Sequence, residues 1–148
     1  MENKALTKVD LIFEKIDPKE VLEKAFKMTS AEIIQNMLES GLKGRGGAGF
    51  PTGLKWKYTA AETSPDKYIV CNADEGEPGT FKDREMLDRV SFKVHGGMVI
   101  AGKAIGAKMG IVYLRGEYRY MLPQLLIELK QFHKMIKEIG YDLSLIHI

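Results

Sequence analysis

Two loops carry the residue types from which chemistry could be built. The first runs Gly44-Arg45-Gly46-Gly47-Ala48-Gly49-Phe50-Pro51-Thr52-Gly53, with five glycines and a proline in ten residues. That composition excludes regular helix or strand and leaves bare backbone, whose N–H groups can approach phosphate oxygens that a side chain would hold off. Arg45 and Lys55 supply charge to neutralise a phosphate, and Phe50, stiffened by Pro51, offers a ring that can stack on a flat heterocycle. The second loop is Asn72-Ala73-Asp74-Glu75-Gly76-Glu77-Pro78-Gly79. Asp74, Glu75 and Glu77 would repel a phosphate. They suit ribose hydroxyls or the polar edges of a heterocycle, for which a carboxylate is an acceptor, and Asn72 adds both donor and acceptor capacity. One ligand can use both loops if its phosphate lies on the glycines.

Each loop also has a plainer reading. A glycine-rich segment fits a flexible surface turn, and three neighbouring carboxylates fit a solvated surface. Gly44-x-Gly46-x-x-Gly49 matches the dinucleotide fingerprint in letters, but that motif usually follows a strand and opens a helix, whereas this one follows a helix. No Gly-Lys-Ser/Thr ends it, which removes a P-loop. Arg115 and Glu117 read as an ion pair near a strand end, Cys71 as a small thiol within a strand, and His95 as a packing or surface residue of a helix.

Composition narrows the field further. The chain has 148 residues, 45% of them hydrophobic and 28% charged, enough for one domain with a core. Its net charge of +2 is spread without a single-sign run, so neither nucleic acid nor direct membrane insertion is expected. No stretch approaches the roughly 20 apolar residues of a membrane span. The start, MENKALTKVD, lacks the apolar core of a signal peptide, which points to the cytoplasm. The single cysteine closes no disulfide and holds no iron–sulfur cluster, and His95, His133 and His147 show no metal spacing. Redox chemistry, if any, needs an organic cofactor.

The elements that must position these loops follow from periodicity. Asp17-Pro18 opens a helix over Lys19 to Met28, and Thr29 with Glu32 forms a capping box for a second helix that stops at Gly41. Lys67 to Asn72 reads as a buried strand between the Ser64-Pro65-Asp66 turn and the acidic loop. Phe92 to Met109 alternates small and apolar residues, Gly96 and Gly97 among them, as a helix lying close on a sheet and ending at Gly110. Ile111 to Leu114 forms a strand and Leu122 to Ile139 a long amphipathic helix. Strand, helix, strand, helix implies a parallel βαβ unit, with both loops' partners at the carboxyl ends of its strands.

The residues then carry a resemblance. GRGGAGFPTGLKW (Gly44 to Trp56), CNADEGEPGTFKDR (Cys71 to Arg84) and the trailing GxxIAGxAIGA and YLRGEY segments look like the flavoprotein subunit of respiratory complex I, a module found also in NAD-linked hydrogenases and formate dehydrogenases. The resemblance covers about Gly41 to Tyr120. It implies an α/β, Rossmann-like FMN-binding domain in which hydride passes from NADH to FMN, with no side chain acting as acid or nucleophile. Carried over by position, Gly44, Arg45, Gly46, Gly47, Lys55, Asn72, Asp74 and Glu75 match FMN-contacting segments, and Phe50, Tyr58 and Glu77 match positions associated with NADH. The partners it implies are NADH and the iron–sulfur subunits of a multi-subunit oxidoreductase, through which the protein would lie peripherally on the inner face of a membrane. A 4Fe-4S cluster is expected in the full-length parent, but its cysteines are absent here. So is the family's second, GEET-like flavin-binding stretch, and Glu117 belongs to an earlier segment.

The domain map expected is an N-terminal helical extension over 1–40, a partial FMN/NADH-binding α/β domain over 41–142, and a tail over 143–148. That tail, Leu143 to Ile148, could be encoded by DNA resembling a transposase adapter, and is expected to be non-native; its alternative is a short apolar strand. Two rivals remain: a nucleotide-binding module without redox chemistry, and a purely structural assembly subunit.

Overall fold

The structure, a computed structural model, describes residues 11–141 in full and residues 144–147 by their backbone. Residues 1–10, Asp142, Leu143 and Ile148 lie outside the described residues.

Helix α1 (Pro18–Lys27) begins where the sequence says it should: the Asp17 side chain accepts the Lys19 N–H at 2.9 Å, with proline in the first turn. Helix α2 (Ser30–Glu39) carries the complete capping box, with Thr29 and Glu32 each accepting the other's backbone N–H. The N–H and hydroxyl of Thr29 both donate to Glu32, and these bonds hold its carboxyl below the usual carboxylate range.

A helix that periodicity does not announce follows the glycines: α3, Thr52–Ala61. The glycine-rich stretch is therefore not irregular to its end, because Thr52 and Gly53 already belong to this helix. Gly53 is there for contact. A β-carbon on it would stand 2.7 Å from the Leu38 backbone nitrogen and 2.9 Å from its Cα, so only glycine lets α3 lie directly on α2.

Strand β1 (Tyr68–Ala73) leads to α4 (Lys82–Ile105), β2 (Met109–Leu114), a 3₁₀ turn at Gly116–Met121, α5 (Leu122–Glu138) and β3 (Ser144–His147). The strands lie side by side in the order β1-β2-β3, all parallel, with Val70 opposite Ile111 and Ile111 opposite Ile146. This is the parallel α/β architecture expected, with a third strand added. Residues 144–147 supply that third strand, paired with β2.

Helix α4 differs from expectation at both ends. It starts ten residues before Phe92 and bends at Val90 (φ −144°, ψ 36°), so periodicity found only the stretch after the bend. It ends at Gly106 (φ 75°), not Gly110, because Gly106 takes the left-handed cap and Gly110 is already paired in β2. Gly96 and Gly97 make no close approach to the sheet, since a β-carbon on either meets nothing within 4 Å. The buried small residues of α4 are Ser91, Ala101, Gly102 and Ala104.

Leu22, Ile33 and Ile34 of the first two helices join Val99, Val112, Leu125 and Ile136 in one core. Lys103 ties α4 to α1 by donating to the Phe26 carbonyl, and Ser30 donates to the Lys103 carbonyl at 2.9 Å. One sheet face, with Ala73 and Val112, turns into that core; Tyr68, Val70 and Tyr113 stand exposed on the other.

Candidate functional site

The glycine loop is a closed turn with a bare tip. Lys43 and Pro51 pair as an antiparallel bridge, Gly44 N–H donates to the Phe50 carbonyl at 2.9 Å, and Thr52 N–H donates to the Leu42 carbonyl at 2.9 Å. Between these bonds the chain turns through Gly47 (φ 99°) and Gly49 (φ 61°), conformations that other residues rarely adopt. Open space surrounds the β-carbon positions of Gly46, Gly47 and Gly49. Arg45 and Phe50 are exposed on the same turn.

Helix α3 starts at the foot of this turn with no side chain capping it and no acidic residue in its first turn, while Lys55 stands exposed one turn in. An uncapped helix N-terminus presents N–H donors and the positive end of the helix dipole, which together favour a phosphate. The dinucleotide-like glycine motif still follows a helix, but α3 opens three residues after its last glycine, Gly49. Tyr58, three residues beyond Lys55, is exposed and shares its helix face.

The Lys67 ammonium donates to the Ala60 carbonyl at 2.8 Å, fastening the end of α3 to the start of β1. β1 itself runs into the acidic loop at Asn72 and Ala73.

Along β1 the side chains alternate, and the alternation continues beyond it: Asn72 and Asp74 point outward while Ala73 and Glu75 are buried. The Asn72 carboxamide accepts the Asp74 N–H at 3.1 Å and so folds the strand end. Glu77 is exposed, and a turn closed by Thr80 N–H on the Glu77 carbonyl at 3.2 Å leads through Gly79 into α4. Of the residues singled out from sequence, then, Gly44, Arg45, Gly46, Gly47, Phe50, Lys55 and Tyr58 gather on the glycine turn and α3. Asn72, Asp74 and Glu77 gather, exposed, at the end of β1.

Glu75 stands apart from both groups. It is 5% exposed, and its carboxylate accepts the Asp83 N–H at 3.0 Å, the Arg84 N–H at 3.5 Å and the Tyr118 hydroxyl at 3.0 Å. Burial works to raise its pKa, but the Asp83 N–H, the Tyr118 hydroxyl, the Arg84 N–H and the Lys82 charge together hold it below the ordinary carboxylate range. It is the missing N-terminal cap of α4, which has none from its own Phe81. Sequence reasoning put Glu75 beside the ligand and missed Tyr118. The available signal was period-two alternation from Cys71 through Ala73 to Glu75, which assigns that carboxylate to the covered face.

Arg115 and Glu117 pair at 2.8 Å, and the Arg115 guanidinium holds the Glu117 carboxyl down at about 2. The Cys71 thiol is pushed up by burial, and by Asp83 next to it, which suits a packed thiol rather than a nucleophile. Ser91, His95 and Glu128 line a cleft of about 320 Å³ between α1, α4 and α5, with Ser91 donating to Glu128. Neither loop contributes to its lining. Among the described residues no group of three or more His, Cys, Asp and Glu could hold a metal ion.

A family model described as the Nuo51 FMN-binding domain matches residues 37–139. The chain belongs to this family. It is 46% identical over 135 residues to the alpha subunit of the NAD-reducing hydrogenase HoxS of Cupriavidus necator, covering 90% of this chain and 22% of that one. To a subunit of the NADH-quinone oxidoreductase of Aquifex aeolicus it is 45% identical over 132 residues, 85% of this chain and 31% of the other. The fold agrees too: a crystal structure of an NAD⁺-reducing [NiFe]-hydrogenase in the H2-reduced state superposes with a TM-score of 0.75 at 41% identity, over 84% of this chain and 22% of that one. The chain thus spans less than a third of the length of these relatives. As a Nuo51 FMN-binding domain it is an α/β domain of a flavoprotein family, and both principal motifs, Gly44 to Trp56 and Cys71 to Arg84, fall inside the matched region.

Proposed function

We propose that residues 44–55 hold the FMN phosphate and that the whole protein oxidises NADH at this flavin, as the electron-input subunit of a multi-subunit oxidoreductase of the complex I type. The observation that carries the reading is the uncapped start of α3 directly behind an open glycine turn. The N–H groups of Gly46 and Gly47 and those of the first turn of α3 after Thr52 would donate to phosphate oxygens, Gly44 closing the neck of the turn by its bond to Phe50, with Arg45 and Lys55 neutralising the charge. Asn72 and Asp74 would accept from the ribityl or ring edge. FMN, when bound, supplies hydride acceptance and stepwise electron release. The chain's own part is to hold and orient: Phe50 and Tyr58 offer ring faces to a nicotinamide or adenine, and Glu77 offers an acceptor to a ribose. No proton transfer by a side chain is needed.

The neighbouring assignment, an NAD-reducing hydrogenase, has support of its own in the HoxS relative, which is as similar to this chain as the quinone-oxidoreductase relative is. The two share this site and differ in partners. We propose iron–sulfur subunits as those partners and a cytoplasmic place, peripheral to the membrane through them. No helix among the described residues is long and apolar enough to cross a membrane.

Titrating the purified chain and its full-length parent with FMN, read by flavin fluorescence and absorption, tests the phosphate site; flavin fluorescence unchanged by both overturns it. Anaerobic NADH should then bleach the bound flavin. Glu77→Ala and Phe50→Ala should slow that bleaching at low NADH by about tenfold while FMN stays bound.

A further inference from the structure

Helix α4 receives its N-terminal cap from a carboxylate that precedes it by seven residues, and the same carboxylate is reached from the segment that follows β2. Three bonds fasten the segment after β2 to the end of β1. Arg115 N–H donates to the Ala73 carbonyl at 3.2 Å, the Arg115 guanidinium donates to the Glu75 carbonyl, and the Tyr118 hydroxyl donates to the Glu75 carboxylate at 3.0 Å. Arg115 is in turn held by Glu117 at 2.8 Å, and Tyr118 is buried.

We propose that Glu75, Arg115 and Tyr118 form a clamp that fixes the course of the loop from Asn72 to Glu77, and that Arg115 and Tyr118 are therefore positioning residues for a ligand neither of them touches. Because the alternation places Asn72 and Asp74 outward only while Glu75 is drawn inward, the clamp sets which way the outward pair faces. Local turns, the Asn72 carboxamide on the Asp74 N–H and the Thr80 N–H on the Glu77 carbonyl, bend this loop without tying it to the rest of the fold. The clamp supplies that tie, by side chains from an element that follows β2 in sequence. It also accounts for a carboxylate buried at a helix start, where its charge is stabilised chiefly by N–H and hydroxyl donors, with the Lys82 charge adding to them. Burial and the bond to Glu75 both keep the Tyr118 hydroxyl protonated and donating.

The clamp's part in ligand binding rests on the flavin reading above, and the test separates the two. Tyr118→Phe keeps the ring in the core and removes one bond; Arg115→Met removes two and keeps most of the side-chain volume. In hydrogen exchange of the free chain, both should raise the exchange of residues 74–84 while β1 and β2 retain their protection. FMN affinity by fluorescence quenching should fall about tenfold in Tyr118→Phe, with the thermal midpoint nearly unchanged. Exchange and affinity both equal to the unsubstituted chain would overturn the clamp. Affinity lost only in step with global protection would reduce it to ordinary core packing, and overturn it equally. No FMN binding by either this chain or its full-length parent, together with the local rise in exchange, would sink the flavin reading and leave the clamp standing.

Discussion

The two loops of the candidate site are held in opposite ways. The glycine turn is fixed by its own backbone, through a bridge at Lys43 and Pro51 and bonds at its neck, and its tip meets nothing. The acidic loop is fixed by side chains of distant residues, with Glu75 tied to α4 and to the turn after β2. One loop is open because little holds it; the other presents Asn72 and Asp74 outward because something else is pulled in. The difference teaches where substitutions should register. Changes at the tip of the glycine turn should be felt by a ligand and not by the fold. Changes under either loop should be felt by the fold first.

The largest effect on stability is expected where the glycine turn enters α3. Gly53→Ala drives a β-carbon to within 2.9 Å of two backbone atoms of Leu38, which cannot move without α2. Overpacking of this kind costs about 2–3 kcal/mol. A thermal midpoint lowered by several degrees in a calorimetric scan is the expected result. An unchanged midpoint would mean that α2 and α3 do not pack as described.

Glu75→Ala comes next, at about 2 kcal/mol, combining a lost helix cap with a buried hydroxyl left without its acceptor. Asp74→Ala, one residue away and exposed, should cost almost nothing. Equal losses at 74 and 75, measured by urea unfolding, would erase the distinction between the outward and the inward carboxylate.

Acid should expose the same residue more gently. The folded-state pKa of Glu75 is depressed, so its contribution is complete above the unfolded value, near 4.3, and is lost as pH falls through the lower folded value. The stability advantage of the unsubstituted chain over Glu75→Gln should therefore be constant from about pH 7 to 5 and shrink below about pH 4. An advantage that persisted into stronger acid would show that hydrogen bonding to the carboxylate is not its source.

How much of this was legible in the sequence depends on how far apart the cause and its consequence lie. Caps within four residues of their helix, Asp17 for α1 and the Thr29–Glu32 box for α2, were readable because both partners sit in one short window. Strands β1 and β2 were readable from β-formers beside turn residues. What escaped was set by distant contacts. The start of α4 is a run of charged residues whose cap lies across a loop, at Glu75, and α3 is a helix whose amphipathic pattern is broken by glycine and lysines. The glycine motif was legible as an exposed, irregular loop in composition, but not as the doorway to a helix. The inward turn of Glu75 was legible in principle, since it continues the alternation of β1; reading the acidic run as one surface hid it.

The smallest expected effect on the fold is the most informative about the site. At Gly46 the backbone does not take a positive φ, and a β-carbon meets nothing within 4 Å, so Gly46→Ala neither strains the chain nor crowds a neighbour. Its thermal midpoint should stay within about 1 °C of the unsubstituted chain, a shift of a few tenths of a kcal/mol. The methyl nevertheless occupies the space through which a phosphate oxygen must approach the loop's N–H groups. FMN affinity should then fall by about tenfold or more, and Gly46→Val should extend that loss without adding much to the midpoint change. Loss of flavin at constant stability is what separates a binding surface from a connecting turn. If Gly46→Ala instead binds FMN as tightly as the unsubstituted chain, the phosphate does not lie on this glycine, and the two loops differ in how they are held without differing in what they do.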